Sequence, residues 1–269
     1  MSYASVMVAV DLDESTRGRI RLAGHLADAF KARLIGVAAE MPAYEAAPVG
    51  PTLGSAYCLA SVQEAVLNDL RIAHAAFEEA GAGRSRVEWR SNLDFPMEFL
   101  ARQSAAADLV VVGRGDAGNP LLSVDPGDAV MRLGAPVLVV PPGVEHLDAQ
   151  RVAVAWKTTR EAHRALRDAL PFLARASHVV VLAIDDGAGA ADTRDVVGFL
   201  QAHDVHASAV AKDALGSSTA EALVEAASEH AADLIVAGAY GHGRLREWAF
   251  GGVTRDLLAG CPMCCLMSH

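Results

Sequence analysis

Aromatic residues are scarce in this chain, at 5% of 269 residues, and cations are outnumbered, with 23 Lys and Arg against 33 Asp and Glu and a formal net charge of −10. The cation deficit excludes a general affinity for nucleic acid, because binding a phosphate backbone requires clustered Lys and Arg that displace counterions. Long apolar runs are also missing. No stretch reaches the ~18 residues of a membrane helix, and the opening MSYASVMVAVDLDES has no basic region before its apolar run. The expectation is a soluble, cytoplasmic protein with no membrane partner. Cysteine is limited to four residues, three of them in CPMCC (261–265), which is not the spacing of a secreted disulfide framework and agrees with a reducing compartment. Neither H-E-x-x-H nor G-x-S-x-G occurs, so no dedicated catalytic site is announced. The first βα turns, VMVAVDLDEST and VAVAWKTTREA, contain no glycine, which disfavours the dinucleotide fingerprint G-x-G-x-x-G.

What the chain does have is duplication. AADLVVVG (106–113) returns as AADLIVAG (231–238), GAPVLVV (134–140) as GCPMCCL (260–266), and VMVAVD (6–11) as VAVAWK (152–157). Two domains are therefore expected, 1–143 and 149–269, meeting at the Pro/Gly-bearing linker VPPGVEHLDAQ (140–150). In each half, short Val-rich runs alternate with longer Ala/Leu segments of helical period, the mark of βαβ units and a parallel sheet. In the second half this predicts strands near 151–156, 178–184, 206–211, 233–237 and 262–267, and helices near 159–175, 191–203, 217–231 and 252–259. The first half adds MPAYEAAPVGPTLGSAYC (41–58), expected to be a mobile surface loop. The repeat aligns Cys261, Cys264 and Cys265 with a buried last strand, which favours core thiols over a metal site completed by His269.

In open parallel sheets a ligand sits beyond the carboxyl ends of the strands, where strand order reverses. GAYGHGRLREWAFGGVT (238–254) begins there. Gly238, Gly243 and Arg244 nearly spell a P-loop, but Arg replaces its Lys and Leu245 its Ser/Thr. Gly238, Gly241 and Gly251 instead satisfy G-x-x-G-x9-G, followed by Gly252 and a helix starting around Val253. Bare backbone N–H groups and a helix N-terminus suit phosphate oxygens.

The repeat, the loop's placement and its glycine spacing resemble the universal stress protein family in its tandem form. That resemblance implies two open, five-stranded, Rossmann-like domains of the adenine nucleotide alpha hydrolase type, joined as an intrachain pseudo-dimer; it leaves a further homodimer open. It also implies ATP, AMP or another adenine nucleotide as ligand, with Mg²⁺ as an optional companion, and a regulatory stress-response role rather than a dedicated enzyme. Weak ATP hydrolysis and a non-binding scaffold are the alternatives. On the resemblance, Gly238, Gly241, His242, Gly243, Arg244, Gly251, Gly252, Val253 and Thr254 line the phosphate loop, and Ala155, Trp156 and Ile184 lie near base and sugar. Trp156 would stack on adenine or close a buried strand. Lys157 replaces the family's ribose-binding Asp, and Gly251-Gly252 replaces its Gly-Ser pair, with Thr254 as a substitute hydroxyl. In the first half Asp11 keeps the ribose position, but GRGDAGNPLLSVDPGDA (113–129) sets Asp116, Asp125 and Asp128 around the phosphate loop and Pro126 removes a donor, so this half is expected not to bind ATP.

Overall fold

A computed structural model describes residues 2–42, 53–114, 122–185, 192–214, 216–240 and 252–269, with backbone alone for 53–59. The first half runs β1 (Ser5–Ala9), α1 (Thr16–Phe30), β2 (Arg33–Ala39), α2 (Leu53–Ala80), β3 (Val87–Asn92), α3 (Pro96–Gln103), β4 (Leu109–Gly113), α4 (Pro126–Arg132) and β5 (Val137–Val140). The second runs β6 (Arg151–Ala155), α5 (Arg160–Asp168), α6 (Leu170–Leu173), β7 (His178–Asp185), α7 (Arg194–Gln201), β8 (Ala207–Asp213), α8 (Thr219–Glu229), β9 (Leu234–Gly238), α9 (Gly252–Gly260) and β10 (Cys264–Ser268). All five strands expected in the second half are present. The single helix expected over 159–175 is divided, because Pro171 cannot donate the N–H that would continue α5, and α6 starts afresh with that proline in its first turn. The loop expected over 41–58 needs correction at its end. Residues 53–58 already belong to α2, since the Ala/Leu-rich stretch beyond Pro51 propagates helix back through Gly54 and Ser55. Residues 43–52 lie outside the described residues.

Ten strands form one sheet in the order β3-β2-β1-β4-β5-β10-β9-β6-β7-β8. Within each half every pairing is parallel, and the halves join through one antiparallel pair, Val137↔Met267, Leu138↔Leu266 and Val139↔Cys265. The inner strands are apolar on both faces, as a sheet covered by helices on both sides requires. One face packs Val6, Leu109, Leu138, Val152 and Leu266 under α1, α2, α5 and α7; the other packs Met7, Val110, Ala153, Ile235 and Cys265 under α3, α4, α8 and α9. The outer strand β8 carries Lys212, whose ammonium reaches Glu225 at 2.9 Å and Glu229 at 3.0 Å on α8. A lysine on an edge strand discourages further pairing.

Aromatic side chains, few as they are, collect where the halves meet. Tyr3 and Phe30 of the first half pack edge-on against Phe172 of the second, with centroids 5.0 to 5.6 Å apart, and the Tyr3 hydroxyl donates to the Asp168 carbonyl at 2.6 Å. The connection from β5 to β6 lies along α1. Glu145 pairs with Arg21 at 2.7 Å, His146 shares an Nδ1–Nδ1 contact of 3.1 Å with His25, and the other nitrogen of His146 meets Asp148 at 2.7 Å. Leu147 and Ala149 are buried beneath it.

Two histidines favour the neutral form in the fold. His25 is lowered below the ordinary imidazole value by burial first, then by His146, Arg84 and Arg21, with Asp28 opposing. His178 is lowered by burial, then by His206, Arg151 and His230. The unfolded chain binds protons at these positions more readily than the fold does, so stability is lost as pH falls through the imidazole range. The thermal midpoint is expected to drop between about pH 7.5 and 5.5, and a His25→Asn/His178→Asn variant to show a flatter profile, read by calorimetry at matched ionic strength.

Candidate functional site

Each half has one point where the chain leaves neighbouring parallel strands in opposite directions, between β1 and β4 and between β6 and β9. The first of these crevices is occupied by the protein itself. Arg19 on α1 is only 2% exposed, and its guanidinium bonds Asp11 at 2.8 Å, the Ala9 carbonyl at 3.1 Å and Thr16 at 2.8 Å. Gly113 at the end of β4 leaves room for it, since a Cβ there would fall 1.9 Å from Arg19 Nη1. Asp11, expected at a ribose position, spends its second oxygen on the Asp13 N–H at 3.1 Å. What remains is a cavity of about 10 Å³ beside Asp11, Val37 and Leu122, room for a single water and far too small for a purine.

Helix α4 follows the loop that the sequence places at the phosphate position of that crevice. Asp125 caps it by accepting the Asp128 N–H at 2.8 Å, and Pro126 sits in the first turn, where its missing N–H costs nothing. Asp125 thus faces its own helix, and a donor that could meet phosphate is already taken. Tyr240 of the second half approaches the same helix, with its hydroxyl 3.1 Å from where a Cβ on Gly127 would lie. Burial first, then Asp125 and Asp128, raise the Tyr240 hydroxyl above its ordinary value. Asp116 lies outside the described residues.

The second crevice is built differently. Gly238 ends β9 directly against the first turn of α5, and a Cβ there would lie 2.3 Å from the Ala162 nitrogen and 2.5 Å from the Glu161 carbonyl carbon. Thr159 fixes that turn by accepting the Ala162 N–H at 3.2 Å. The expected phosphate-loop glycine is therefore demanded by strand-to-helix packing, whatever else it does. Across the loop, α9 begins at Gly252, which is exposed and, among the described residues, has no atom within 4 Å of a would-be Cβ; Val253 is exposed, while Thr254 is buried and accepts the Tyr240 N–H at 3.3 Å. Tyr240 holds φ +59°, a left-handed conformation that costs a tyrosine energy and that the Thr254 contact helps to retain.

Among the remaining expected residues, Ala155 and Ile184 face the α8/α9 side of the sheet, together with α9. Trp156 does not join them. Its ring is buried on the opposite face, edge-on to His163 at 4.8 Å, with its indole N–H donating to the Asp192 carbonyl at 3.3 Å. Of the two readings of Trp156, the buried strand closure describes its side chain. Lys157 is exposed at the crevice mouth. Gly241, His242, Gly243, Arg244 and Gly251 lie outside the described residues. Sequence reasoning missed Glu161, buried beside Gly238, and considered His269, whose Nδ1 meets the Ala239 carbonyl at 3.0 Å, only as a metal ligand. It also missed Arg19 and Tyr240, for none of which local sequence holds a signal beyond residue type.

These contacts set two stability expectations. Gly238→Ala forces a methyl into backbone and is expected to cost ~1–3 kcal/mol, whereas Gly252→Ala, which meets nothing within 4 Å among the described residues, is expected to be neutral or mildly stabilising. Asp11→Ala leaves the Arg19 charge buried without its carboxylate and is expected to cost ~3–5 kcal/mol. Denaturant titration of the three variants ranks them.

Residues 149–269 match the family model described as the universal stress protein family. A universal stress protein from Archaeoglobus fulgidus DSM 4304 aligns with 98% of this chain and 96% of its own, at 15% identity and a TM-score of 0.66. A putative universal stress protein from Pseudomonas aeruginosa UCBPP-PA14 aligns with 99% and 93%, at 15% identity and a TM-score of 0.53. A universal stress protein in complex with cAMP aligns with 52% of this chain and 98% of its own, at 25% identity and a TM-score of 0.37. No match was found among curated proteins. The universal stress protein family model thus matches residues 149–269, and the fold of universal stress proteins extends over nearly the whole length of the chain.

Proposed function

We propose that residues 149–269 form a domain that binds an adenine nucleotide, ATP or AMP, beyond the carboxyl ends of β6 and β9, and that residues 1–143 form a second domain of the same fold that binds none. The observation that carries this reading is the contrast between the two equivalent helices. At α4 an Asp carboxylate caps the N-terminus, while α9 opens with an exposed glycine whose would-be Cβ meets nothing within 4 Å among the described residues. The first-turn N–H groups and positive end of a helix, here the nine-residue α9, attract phosphate oxygens. The Gly238–Gly241–Gly251 spacing in the sequence supplies further bare backbone between β9 and α9, and Ala155 and Ile184 offer an apolar floor on the same face. The residues present therefore fit a nucleotide's phosphates, with Mg²⁺ as their counter-ion. Lys157 gives the sugar region a cation in place of a carboxylate, so ribose contacts differ from those the family resemblance implies.

In this reading the chain is a cytoplasmic sensor or regulator in a stress response, whose conformation reports a nucleotide rather than turning one over. Among the described residues no helix is long and apolar enough to cross a membrane. Two chains associating further is compatible with the fold, but the pairing that matters for the site is the one within the chain.

Calorimetric titration tests the reading with wild type, Gly252→Asp and Gly252→Ser. A carboxylate at the first position of α9 meets no steric obstacle among the described residues and suits the helix dipole, so Gly252→Asp is expected to fold as wild type does. It is expected to weaken ATP binding by about tenfold or more, the scale of one unfavourable charge beside a phosphate. Gly252→Ser is expected to keep wild-type affinity. Absence of ATP and AMP binding to wild type at millimolar concentration, or equal affinity in Gly252→Asp, overturns the assignment. Mass spectrometry of small molecules released from the purified protein identifies which nucleotide the crevice retains.

A further inference from the structure

Away from both crevices, two imidazoles meet where the connection from β5 to β6 is clasped along α1. His25 lies on the exposed side of α1, and His146 stands on the connection, 121 positions later. Their Nδ1 atoms are 3.1 Å apart, and the rings are edge to face with centroids 5.1 Å apart. Behind His146, the Asp148 carboxylate meets Nε2 at 2.7 Å. An ionised carboxylate only accepts, so Nε2 carries the hydrogen, and the Nδ1 lone pair of the neutral ring faces His25. A carboxylate placed behind an imidazole in this way orients metal-ligating histidines and strengthens their hold on the ion.

We propose that His25 and His146 chelate one divalent transition-metal ion of the kind imidazole prefers, Zn²⁺ or Cu²⁺, through their Nδ1 atoms, with Asp148 as the positioning residue behind His146. The separation carries the assignment. Two nitrogens each ~2.0 to 2.1 Å from one ion stand ~3.4 Å apart at a tetrahedral angle and ~2.9 Å apart at a right angle, and the observed 3.1 Å falls between. The ion lies off the line joining the nitrogens. Both side chains are exposed, so small rotations about χ2 bring the lone pairs onto it. Binding to the neutral pair releases no proton. The hydrogen that His25 donates from Nδ1 moves to Nε2 when the ion takes its place. His25 favours the neutral form, lowered by burial first and then by His146 and the nearby arginines.

The surrounding charge suits a cation. Arg84 and Arg21, both near His25, are held by Asp28 at 2.9 Å and Glu145 at 2.7 Å, which leaves the Asp148 carboxylate as the surplus charge of the group. Among the described residues no set of three or more His, Cys, Asp or Glu is placed to hold an ion, so the two imidazoles are the protein's share and water fills the remaining positions. Hard cations such as Mg²⁺ and Ca²⁺ prefer oxygen ligands and are not held here. A second imidazole pair, His178 and His206, also has its Nδ1 atoms close, at 3.4 Å. There the other His178 nitrogen rests on the Ser208 hydroxyl at 3.0 Å, and His206 Nδ1 also meets the Ser177 carbonyl at 3.3 Å. With a hydroxyl and a carbonyl where the first pair has a carboxylate, it serves as the internal comparison. An ion on His25 and His146 would fasten α1 to the connection a second time, beside the Arg21–Glu145 pair.

The test is calorimetric titration of the full-length chain, stripped with EDTA and desalted, with Zn²⁺ and with Cu²⁺ in the absence of nucleotide. Wild type is expected to bind one ion at its tightest site. His25→Gln and His146→Ala are expected to weaken that site by about tenfold or more, Asp148→Asn by about tenfold, and His206→Ala to match wild type. The amide of His25→Gln can still donate to His146, so its fold is expected to be retained, as its metal-free thermal midpoint checks. Pulsed EPR of the Cu²⁺ form is expected to show two imidazole nitrogens in wild type and in Asp148→Asn, and one in His25→Gln; weaker binding with both nitrogens kept marks Asp148 as positioning the ligand. Excess Zn²⁺ is expected to raise the thermal midpoint of wild type and to leave that of His25→Gln unchanged. No ion bound at millimolar concentration, unchanged affinity in His25→Gln or His146→Ala, the tightest site lost in His206→Ala instead, or Mg²⁺ competing equally overturns the proposal. Because nucleotide is absent throughout, failure of the metal site and failure of nucleotide binding are read separately.

Discussion

The pairing of β5 with β10 is the constraint on which the rest of the molecule depends. Each is the last strand of a five-stranded parallel set, and each would otherwise end its sheet in a row of unpaired N–H and C=O groups flanked by Val and Leu side chains that want burial. Running them antiparallel satisfies both rows at once and relates the two halves by a two-fold-like turn. That turn then carries α4 and α9 to the same side, which is why Tyr240 from one half reaches Gly127 of the other. The same geometry brings Arg114 to the α9–β10 corner and lets Tyr3, Phe30 and Phe172 form one aromatic contact across the opposite face.

The two halves share one strand topology and differ in the electrostatics of their crevices. In the first, a guanidinium fills the space beside β1 and β4 and takes the carboxylate just beyond β1 as its partner. A buried ion pair of this kind adds little net stability over an apolar filling, and the cavity beside it among the described residues is about 10 Å³. In the second, the corresponding strand-end glycine is met by helix backbone instead, and the carboxylate after the strand is replaced by Lys157. One glycine position, Gly113 or Gly238, is thus retained for close approach in both halves although the group that approaches is a charged side chain in one and a helix in the other.

Architecture was legible in the sequence because a parallel sheet buried on both faces leaves a coarse signature: Val-rich runs, turn residues and their recurrence at a fixed offset. The strand positions of the second half come from that alone, as does the linker between Val140 and Arg151. Local features governed by one residue were less so. Pro171 could have been read as a helix break, but the apolar period runs through it. Gly54 and Ser55 resemble loop residues, yet they start α2 because the long Ala/Leu-rich stretch from Ala56 onward carries the helix back over them. The candidate site is read mainly as chemistry of the backbone, and Gly241 to Gly251 of it lie outside the described residues. Glycine spacing marked the loop, while the face to which Trp156 turns, the burial of Arg19 and the left-handed Tyr240 depend on contacts between segments far apart in sequence, and no local pattern encodes them.

The connection clasped along α1 by Glu145 and His146 has a consequence for abundance. Because β10 is covalently delivered to β5, closing the seam is an intramolecular event at a high effective concentration rather than an encounter between two molecules. A pair of single-domain chains joined by the same strands would separate on dilution, so their architecture would vary with expression level. Here the two unlike halves keep a one-to-one ratio and a fixed arrangement at any copy number, which leaves each free to diverge without having to preserve a surface that recognises itself.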